Sequence, residues 1–298
     1  MHRRRCPRFQ RCADPGPIHL TRRDIAVLQK VHQYRFLRST HLIQLLTGSP
    51  QQLLRRLQAL YHHGYLDRPR IQIDYYRAGS RPIVYGIGRR GIAFLRERGF
   101  VPSRVRSSEL RGSVSTRFSL CHTLAVADAV IAFEVAASRG NGPGILHHRE
   151  AGARSFQWRV HVPSPPPGAD LGLVPDWIFA LNVGADGNPL WIFLEVDRGT
   201  MPVRAHGLRR SSLHRKIIAY QETWRQGVLR PTFPRFRVLT LTTSQQRVEH
   251  LVDLTRRMAG GNGSRLFLFG LQEDVLRSSD PLSFRFRNGK GEESSLAD

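Results

Sequence analysis

The chain has 298 residues, which is enough for two domains of ordinary size, each with its own core. Its 46 Lys and Arg residues against 23 Asp and Glu residues give a net charge of +23, and three cysteines are too few for a disulfide framework. The sequence has neither a secretory signal nor an apolar run of about eighteen residues, so we expect a soluble, cytoplasmic protein with no membrane segment.

The positive charge is concentrated in the first part of the chain. Residues 1–120 hold 24 basic and 6 acidic side chains, a balance of +18, whereas residues 121–298 hold 22 and 17, a balance of +5. A GC-rich genome raises the arginine content of a whole chain, so it does not explain this asymmetry. The first part is therefore predicted to bind a polyanion.

After a basic tail at residues 1–18, three helices are predicted in close succession. LTRRDIAVLQKVHQYRFL starts with the capping pattern Thr21 and Asp24, STHLIQLL forms a short second helix, and PQQLLRRLQALYHHG forms a third. Two short strands, YLDRPRI and RPIVYGIG, then flank a basic loop at about residues 75–81, and GIAFLRERG closes with a helix. This order predicts a winged helix-turn-helix domain over residues 19–100.

The third helix and the loop carry the candidate DNA-binding residues. Amide and guanidinium side chains on an exposed helix face can hydrogen-bond base edges in the major groove, and arginines of a wing can reach the backbone or the minor groove. The alternative is a winged helix that binds protein, with the arginines as a solvated face. The predicted DNA contacts are Gln51, Gln52, Arg55, Arg56, Arg77 and Arg81.

A polar linker at 101–116 precedes a second domain, predicted at 117–275, and a polar tail follows at 276–298. A long helix from about residue 117 to 138 comes first, and then the periodicity changes toward two. The order is three or four strands, a helix, a strand, a helix and a strand, which predicts a mixed-sheet α/β domain. The sequence contains neither a phosphate-binding Gly-rich loop nor a serine nucleophile elbow.

The stretch LEVDRGT carries two carboxylates on one face of a strand. Glu195 and Asp197 are two residues apart, and Asp176 begins the preceding strand. If the two strands pair as an antiparallel hairpin, all three carboxylates meet and require a hard divalent cation such as Mg²⁺. Glu150 is a further candidate ligand. The alternative is that neighbouring arginines bind these carboxylates in salt bridges.

The following helix supplies a lysine and a tyrosine. Lys216 and Tyr220 are four residues apart on one helix face, beside an apolar stripe that includes Ile217 and Trp224 and is expected to pack on the sheet. A lysine at the edge of such a stripe can direct its ammonium group toward the carboxylates, where it would hold a water molecule or a phosphate.

This arrangement resembles the PD-(D/E)XK nuclease superfamily, in which acids on two adjacent strands bind magnesium beside a lysine. Pro175 and Asp176 match its PD, and Glu195 matches the second acid. The position two residues after Glu195, where that superfamily usually has lysine, is Asp197. Some branches take the lysine from the next helix, and Lys216 is in a position to replace it.

A closer resemblance, to the replication-relaxation family of plasmid and mobile-element proteins, extends over most of the chain. The resemblance implies DNA binding in replication or relaxation, possible Mg²⁺-dependent cleavage, and partners that include double-stranded DNA and a relaxase or replication initiator. A non-catalytic accessory factor or transcriptional regulator is the alternative. The matching residues are Pro175, Asp176, Glu195, Asp197, Arg198, Gly199, Thr200, Lys216 and Tyr220.

Overall fold

The computed structural model divides into two compact units, Met1–Ala127 and Asp128–Asp298. Their boundary lies inside a helix and not at the predicted linker, which, apart from Val101, lies outside the described residues. The structure describes residues 7–73, 81–101, 117–139, 144–147, 156–163, 168–181, 188–199 and 212–297.

The helices predicted for the N-terminal unit are present. They are α1 (Arg22–Tyr34), α2 (Ser39–Leu45), α3 (Pro50–His62) and α4 (Arg89–Glu97). The Thr21 hydroxyl accepts the Asp24 backbone N–H, and the Asp24 carboxylate accepts the Thr21 N–H at 2.8 Å, so a capping box begins α1 as predicted.

A three-stranded antiparallel sheet completes this unit. The two predicted strands are β2 (Leu66–Asp67) and β3 (Val84–Ile87), and β3 also pairs with β1 (Phe36–Arg38), giving the order β1-β3-β2. Strand β1 is not predicted from the sequence, because three residues between two helices show no measurable alternation. Most of the predicted basic loop between β2 and β3 lies outside the described residues.

The described part of the basic tail packs on the N-terminal unit, which corrects its assignment as a separate segment. The Arg11 guanidinium donates to the Tyr61 carbonyl at 2.9 Å and to the Leu66 carbonyl at 3.1 Å. The Gly16 carbonyl lies 2.7 Å from His63 Nε2. These contacts satisfy carbonyls at the end of α3 and in β2, so the tail belongs to the unit that it was predicted to precede.

A glycine allows α4 to start against the segment between α3 and β2. A Cβ atom on Gly88 would lie 2.2 Å from the Gly64 carbonyl oxygen, which is far inside van der Waals contact. The Gly88 N–H donates to the Tyr65 carbonyl at 2.8 Å, so the two backbones approach closely at this point. Only glycine fits there without displacing one of them.

The long helix α5 (Arg117–Arg139) contributes buried side chains to both units. Its first half buries Leu120 and Leu124 in a cluster with Phe36 and Val84 of the N-terminal unit. In the second unit, Phe133 stacks on Phe179 with ring centroids 5.5 Å apart. Residues 118–139 are long and apolar enough to cross a membrane, with a mean hydropathy of 1.7. The core helix of a soluble protein passes the same test, so one such helix is weak evidence for a membrane span.

The C-terminal unit is built on a seven-stranded mixed sheet of order β12-β11-β10-β9-β8-β7-β4. Strands β8, β9 and β10 are parallel to one another, and the remaining pairs are antiparallel. This confirms the predicted α/β class. The strands are β4 (Ile145–His147), β7 (Trp177–Leu181), β8 (Leu190–Val196), β9 (Phe236–Thr242), β10 (Phe267–Leu271), β11 (Phe286–Asn288) and β12 (Glu293–Ser294).

Helices connect the parallel strands, as parallel pairing requires. Helix α6 (Leu213–Gln226) joins β8 to β9, α7 (Gln245–Met258) joins β9 to β10, and the short α8 (Gln272–Arg277) follows β10. A separate two-stranded sheet, β5 (Trp158–Val162) with β6 (Ala169–Leu173), adds buried residues to the core that α6 covers.

The last segment of the chain is part of the sheet, which corrects the prediction of a polar tail at 276–298. Phe286 is 1% exposed and Leu296 is fully buried. The Arg237 guanidinium of β9 donates to the Ser295 carbonyl at 2.8 Å and to the Leu296 carbonyl at 3.3 Å. The prediction was wrong because two short strands, β11 and β12, form within this polar sequence and bury Phe286, while the chain after them buries Leu296.

Candidate functional site

The ends of β7 and β8 bring the first two predicted acids together. Trp177 of β7 pairs with Leu194 of β8, so Asp176 lies at the end of β8. Its backbone N–H donates to the Leu194 carbonyl at 3.1 Å, and its carboxylate accepts the Val196 N–H at 2.8 Å. The antiparallel pairing predicted from the sequence is confirmed, and it sets Asp176 beside Glu195.

Helix α6 closes over Glu195 with both of its predicted polar residues. Lys216 Nζ donates to Glu195 Oε2 at 2.5 Å, and Tyr220 Oη donates to Glu195 Oε1 at 2.7 Å. Glu195 is 3% exposed and Tyr220 is 1% exposed, while the Lys216 side chain is 22% exposed. Each carboxylate oxygen of Glu195 therefore has its own donor in a nearly dry environment.

The strand periodicity explains why α6 lies there. Phe193 and Glu195 point to the same face of β8, and this face packs on α6. The ring centroids of Phe193 and Tyr220 are 6.0 Å apart, and the Trp158 ring lies 5.8 Å from that of Tyr220. Ser212 begins the helix by accepting the Arg215 N–H at 3.1 Å. An aromatic cluster thus fixes the helix that presents the lysine.

Burial and charge act in opposite directions on Glu195. Burial raises the pKa of Glu195, and the Asp176 carboxylate raises it further, whereas Lys216 and the two hydrogen bonds lower it; the resulting pKa is about 7. Burial lowers the pKa of Lys216, but Glu195 and Asp176 more than offset this, so the pKa of Lys216 is raised and the ammonium persists. Burial and Glu195 also raise the pKa of Tyr220, which stays protonated.

Asp197 is held by a second set of donors. Its Oδ2 accepts from the Thr242 hydroxyl at 2.9 Å and from Arg247 Nε at 2.6 Å, and its Oδ1 accepts the Gly199 N–H at 3.0 Å. No pattern in the sequence identified Thr242 or Arg247 as partners of Asp197. The parallel pairing of β8 with β9 would have indicated Thr242, because it sets the ends of the two strands side by side.

A Mg²⁺ ion at this site would have to replace the donors that these acids have in the structure. Both oxygens of Glu195 are taken by Lys216 and Tyr220, and Asp197 is neutralised by Arg247. Within the described ranges, no three or more His, Cys, Asp or Glu side chains are grouped to hold a metal ion. The alternative of salt bridges describes Glu195 and Asp197 better than a metal site does. It predicted arginine partners for both, but the partner of Glu195 is a lysine.

The α3 helix shows the face that the sequence predicts, with one correction. Leu53, Leu57 and Leu60 are fully buried, and the polar residues between them point outward. Arg56 differs, because its guanidinium donates to Asp24 at 3.0 and 2.6 Å and to the His19 carbonyl at 2.9 Å. Arg56 therefore joins α3 to α1, and its guanidinium already has protein partners. The exposed residues of this face are Gln51, Gln52, Leu54, Arg55 and Gln58.

Some of the predicted residues do not enter this geometry. Arg77, Glu150 and Thr200 lie outside the described residues, so their predicted roles stay predictions. Arg81 is exposed ahead of β3, and Arg198 is partly exposed after β8.

The chain is thus a two-unit protein, in which a basic helical unit precedes a mixed α/β unit with a buried acid and lysine network at its strand ends. A family model described as replication-relaxation matches residues 28–236, from α1 to the start of β9. The chain belongs to the replication-relaxation family, and membership points to a role in the replication or relaxation of plasmids or mobile elements. No curated protein and no solved structure gives a significant match.

Proposed function

We propose that the protein is a DNA-binding accessory factor in plasmid or mobile-element replication or relaxation, whose N-terminal unit is a winged helix that binds duplex DNA. The observation that carries the proposal is the outer face of α3, where Gln51, Gln52, Arg55 and Gln58 are exposed together. The leucines on the opposite face are fully buried, so this orientation of the helix is fixed by the core.

The chemistry of this face suits a major groove. Glutamine amides pair with adenine, and arginine pairs with guanine or with phosphate. Ser49 caps the helix start by accepting the Gln52 N–H at 3.4 Å, which leaves the side chains of the first turn pointing outward. The excess of 18 positive charges in residues 1–120 adds attraction that does not depend on sequence.

The closed network at Glu195 favours an accessory role for the C-terminal unit over cleavage. Lys216 neutralises Glu195, and Arg247 neutralises Asp197, so both acids already have cationic partners. A unit of this kind would contact DNA or a protein such as a relaxase or replication initiator.

Fluorescence anisotropy with a labelled DNA duplex tests the proposal. In the full chain, Gln52→Ala with Arg55→Ala is expected to lower affinity for a preferred duplex by about 5-fold or more, since each base contact contributes about 1–3 kcal/mol. Arg257→Ala removes an exposed arginine from α7 and serves as the matched control, with an expected change below about twofold. Absence of binding at low salt, or equal effects of the two changes, would contradict the proposal.

A Mg²⁺-dependent nuclease is the second candidate. Lys216 contacts Glu195, and Asp176 lies beside Glu195, so two acids and a lysine lie together. This grouping favours the nuclease candidate. For this activity Glu195 must exchange Lys216 for the cation. The test is nicking of supercoiled plasmid with Mg²⁺ or Mn²⁺ that is lost in Asp176→Ala and Glu195→Ala but kept in Asp253→Ala, an exposed control on α7.

A further inference from the structure

A second candidate site lies at the opposite end of β8 from Glu195. An open cavity of about 290 Å³ lies where β8 and β9 begin, at Leu190 and Phe236, beneath the last turn of α6. Leu190 precedes Glu195 by five residues of one strand, which is about 17 Å. The cavity is therefore separate from the acid and lysine network.

The side chains around this cavity are basic. Arg230, Arg235 and Arg237 line it, and no acidic residue is among its described lining residues. Arg237 is 7% exposed and holds the carbonyls of Ser295 and Leu296, so it forms part of the wall. Arg230 and Arg235 are exposed at the opening. An anion that enters meets two arginines at the opening.

The helix end that covers the cavity lies next to Arg230. Gly227 ends α6 in the left-handed region with φ 66°, and its N–H donates to the Trp224 carbonyl at 3.2 Å. A Cβ atom on Gly227 would lie 3.1 Å from Arg230 Cδ, so the arginine side chain crosses directly over the glycine. A residue with a side chain at position 227 would crowd Arg230, which itself lines the cavity.

An exposed aromatic ring lies beside the arginines. Trp224 is 52% exposed and lines the same cavity. Among the hydrogen bonds and ion pairs of the described residues, none involves its indole N–H or the Arg230 guanidinium. A tryptophan that lines a cavity together with arginines can stack on a base while the arginines hold its phosphates.

We propose that this cavity binds an unpaired nucleotide of single-stranded DNA, with Trp224 stacked on the base and Arg230 and Arg235 on the adjacent phosphates. A concave site near the small end of ligand pockets, which hold about 300–1,000 Å³, takes one base and cannot accept a paired, stacked one. The choice of DNA rests on the proposed function, whereas the recognition of base and phosphate rests on the cavity alone.

Anisotropy of the full chain with fluorescein-labelled oligo-dT tests this proposal at low salt. Trp224→Ala and Arg230→Ala are each expected to lower the affinity about tenfold, because stacking contributes about 1–3 kcal/mol per base. Trp224→Phe, which keeps an aromatic face, is expected to recover most of the loss. Arg257 is exposed and does not line the cavity, so Arg257→Ala is expected to change the affinity for oligo-dT by less than about twofold.

Two further measurements distinguish the ligand and separate this proposal from the one on α3. Free dTMP is expected not to displace the oligonucleotide at equal concentration, and its displacement with equal affinity would overturn the proposal in favour of a free nucleotide. Arg55→Ala is expected to weaken duplex binding and leave oligo-dT binding unchanged. Equal weakening of duplex and single-strand binding by Trp224→Ala, or no weakening of either, would refute the cavity as a single-strand site.

Discussion

The substitution Lys216→Met isolates the electrostatics of the buried network. Methionine keeps the unbranched shape of the lysine stem and removes its ammonium, which lies 2.5 Å from Glu195 Oε2. Glu195 then keeps only the Tyr220 hydroxyl at 2.7 Å and the nearby charge of Asp176. Because Lys216 lowers the pKa of Glu195, its removal raises that pKa above about 7.

The sign of the pH dependence follows from the proton uptake of the two states. Between the ordinary pKa of 4.5 and the folded value of about 7, the folded protein holds a proton that the unfolded chain has released. Stability therefore falls as pH rises through this window, by about 1.4 kcal/mol per pH unit for one group. In Lys216→Met the fall continues above pH 7, so the variant loses about 2 kcal/mol more than the wild type between pH 7 and pH 8.5.

Urea denaturation at pH 6, 7 and 8.5 measures this difference. The difference in the free energy of unfolding between Lys216→Met and the wild type is expected to grow only above pH 7. The double variant Lys216→Met with Glu195→Gln has no titrating carboxyl at this position, so its additional loss should vanish. A constant difference between Lys216→Met and wild type at all three pH values would refute the assigned pairing.

Three other substitutions test single contacts. Arg56→Ala, which leaves the buried Asp24 without its partner, should lower the free energy of unfolding by about 1.5–3 kcal/mol, whereas its exposed neighbour Arg55→Ala should change it by less than about 0.5 kcal/mol in thermal denaturation. Asp197→Asn removes the negative charge that Arg247 faces. It should lower the free energy of unfolding by about 1–3 kcal/mol, measured by urea denaturation. Arg237→Met should release the C-terminal carbonyls, seen as faster hydrogen exchange in β12 with α3 unaffected.

The sequence predicted the hairpin and the helix that form the site, because each has a local signature. A two-residue period placed Glu195 on one strand face, and a four-residue spacing placed Lys216 and Tyr220 on one helix face. What it could not supply was the partner of Asp197, since Arg247 lies fifty residues away and reaches the site only through the parallel pairing of β8 and β9. Parallel pairing depends on the whole sheet, and no local pattern marks it.

Trp224 shows the same limit in the apolar pattern. Helical spacing groups it correctly with Ile217 and Tyr220, and those two are 4% and 1% exposed, yet Trp224 is 52% exposed. The strands beneath α6 begin only at Leu190 and Phe236, and both line the cavity under the last turn of the helix. The stripe therefore continues past the edge of the sheet that it packs on. A tryptophan that a sequence pattern assigns to the core becomes available to a ligand because the sheet, and not the helix, ends at that point.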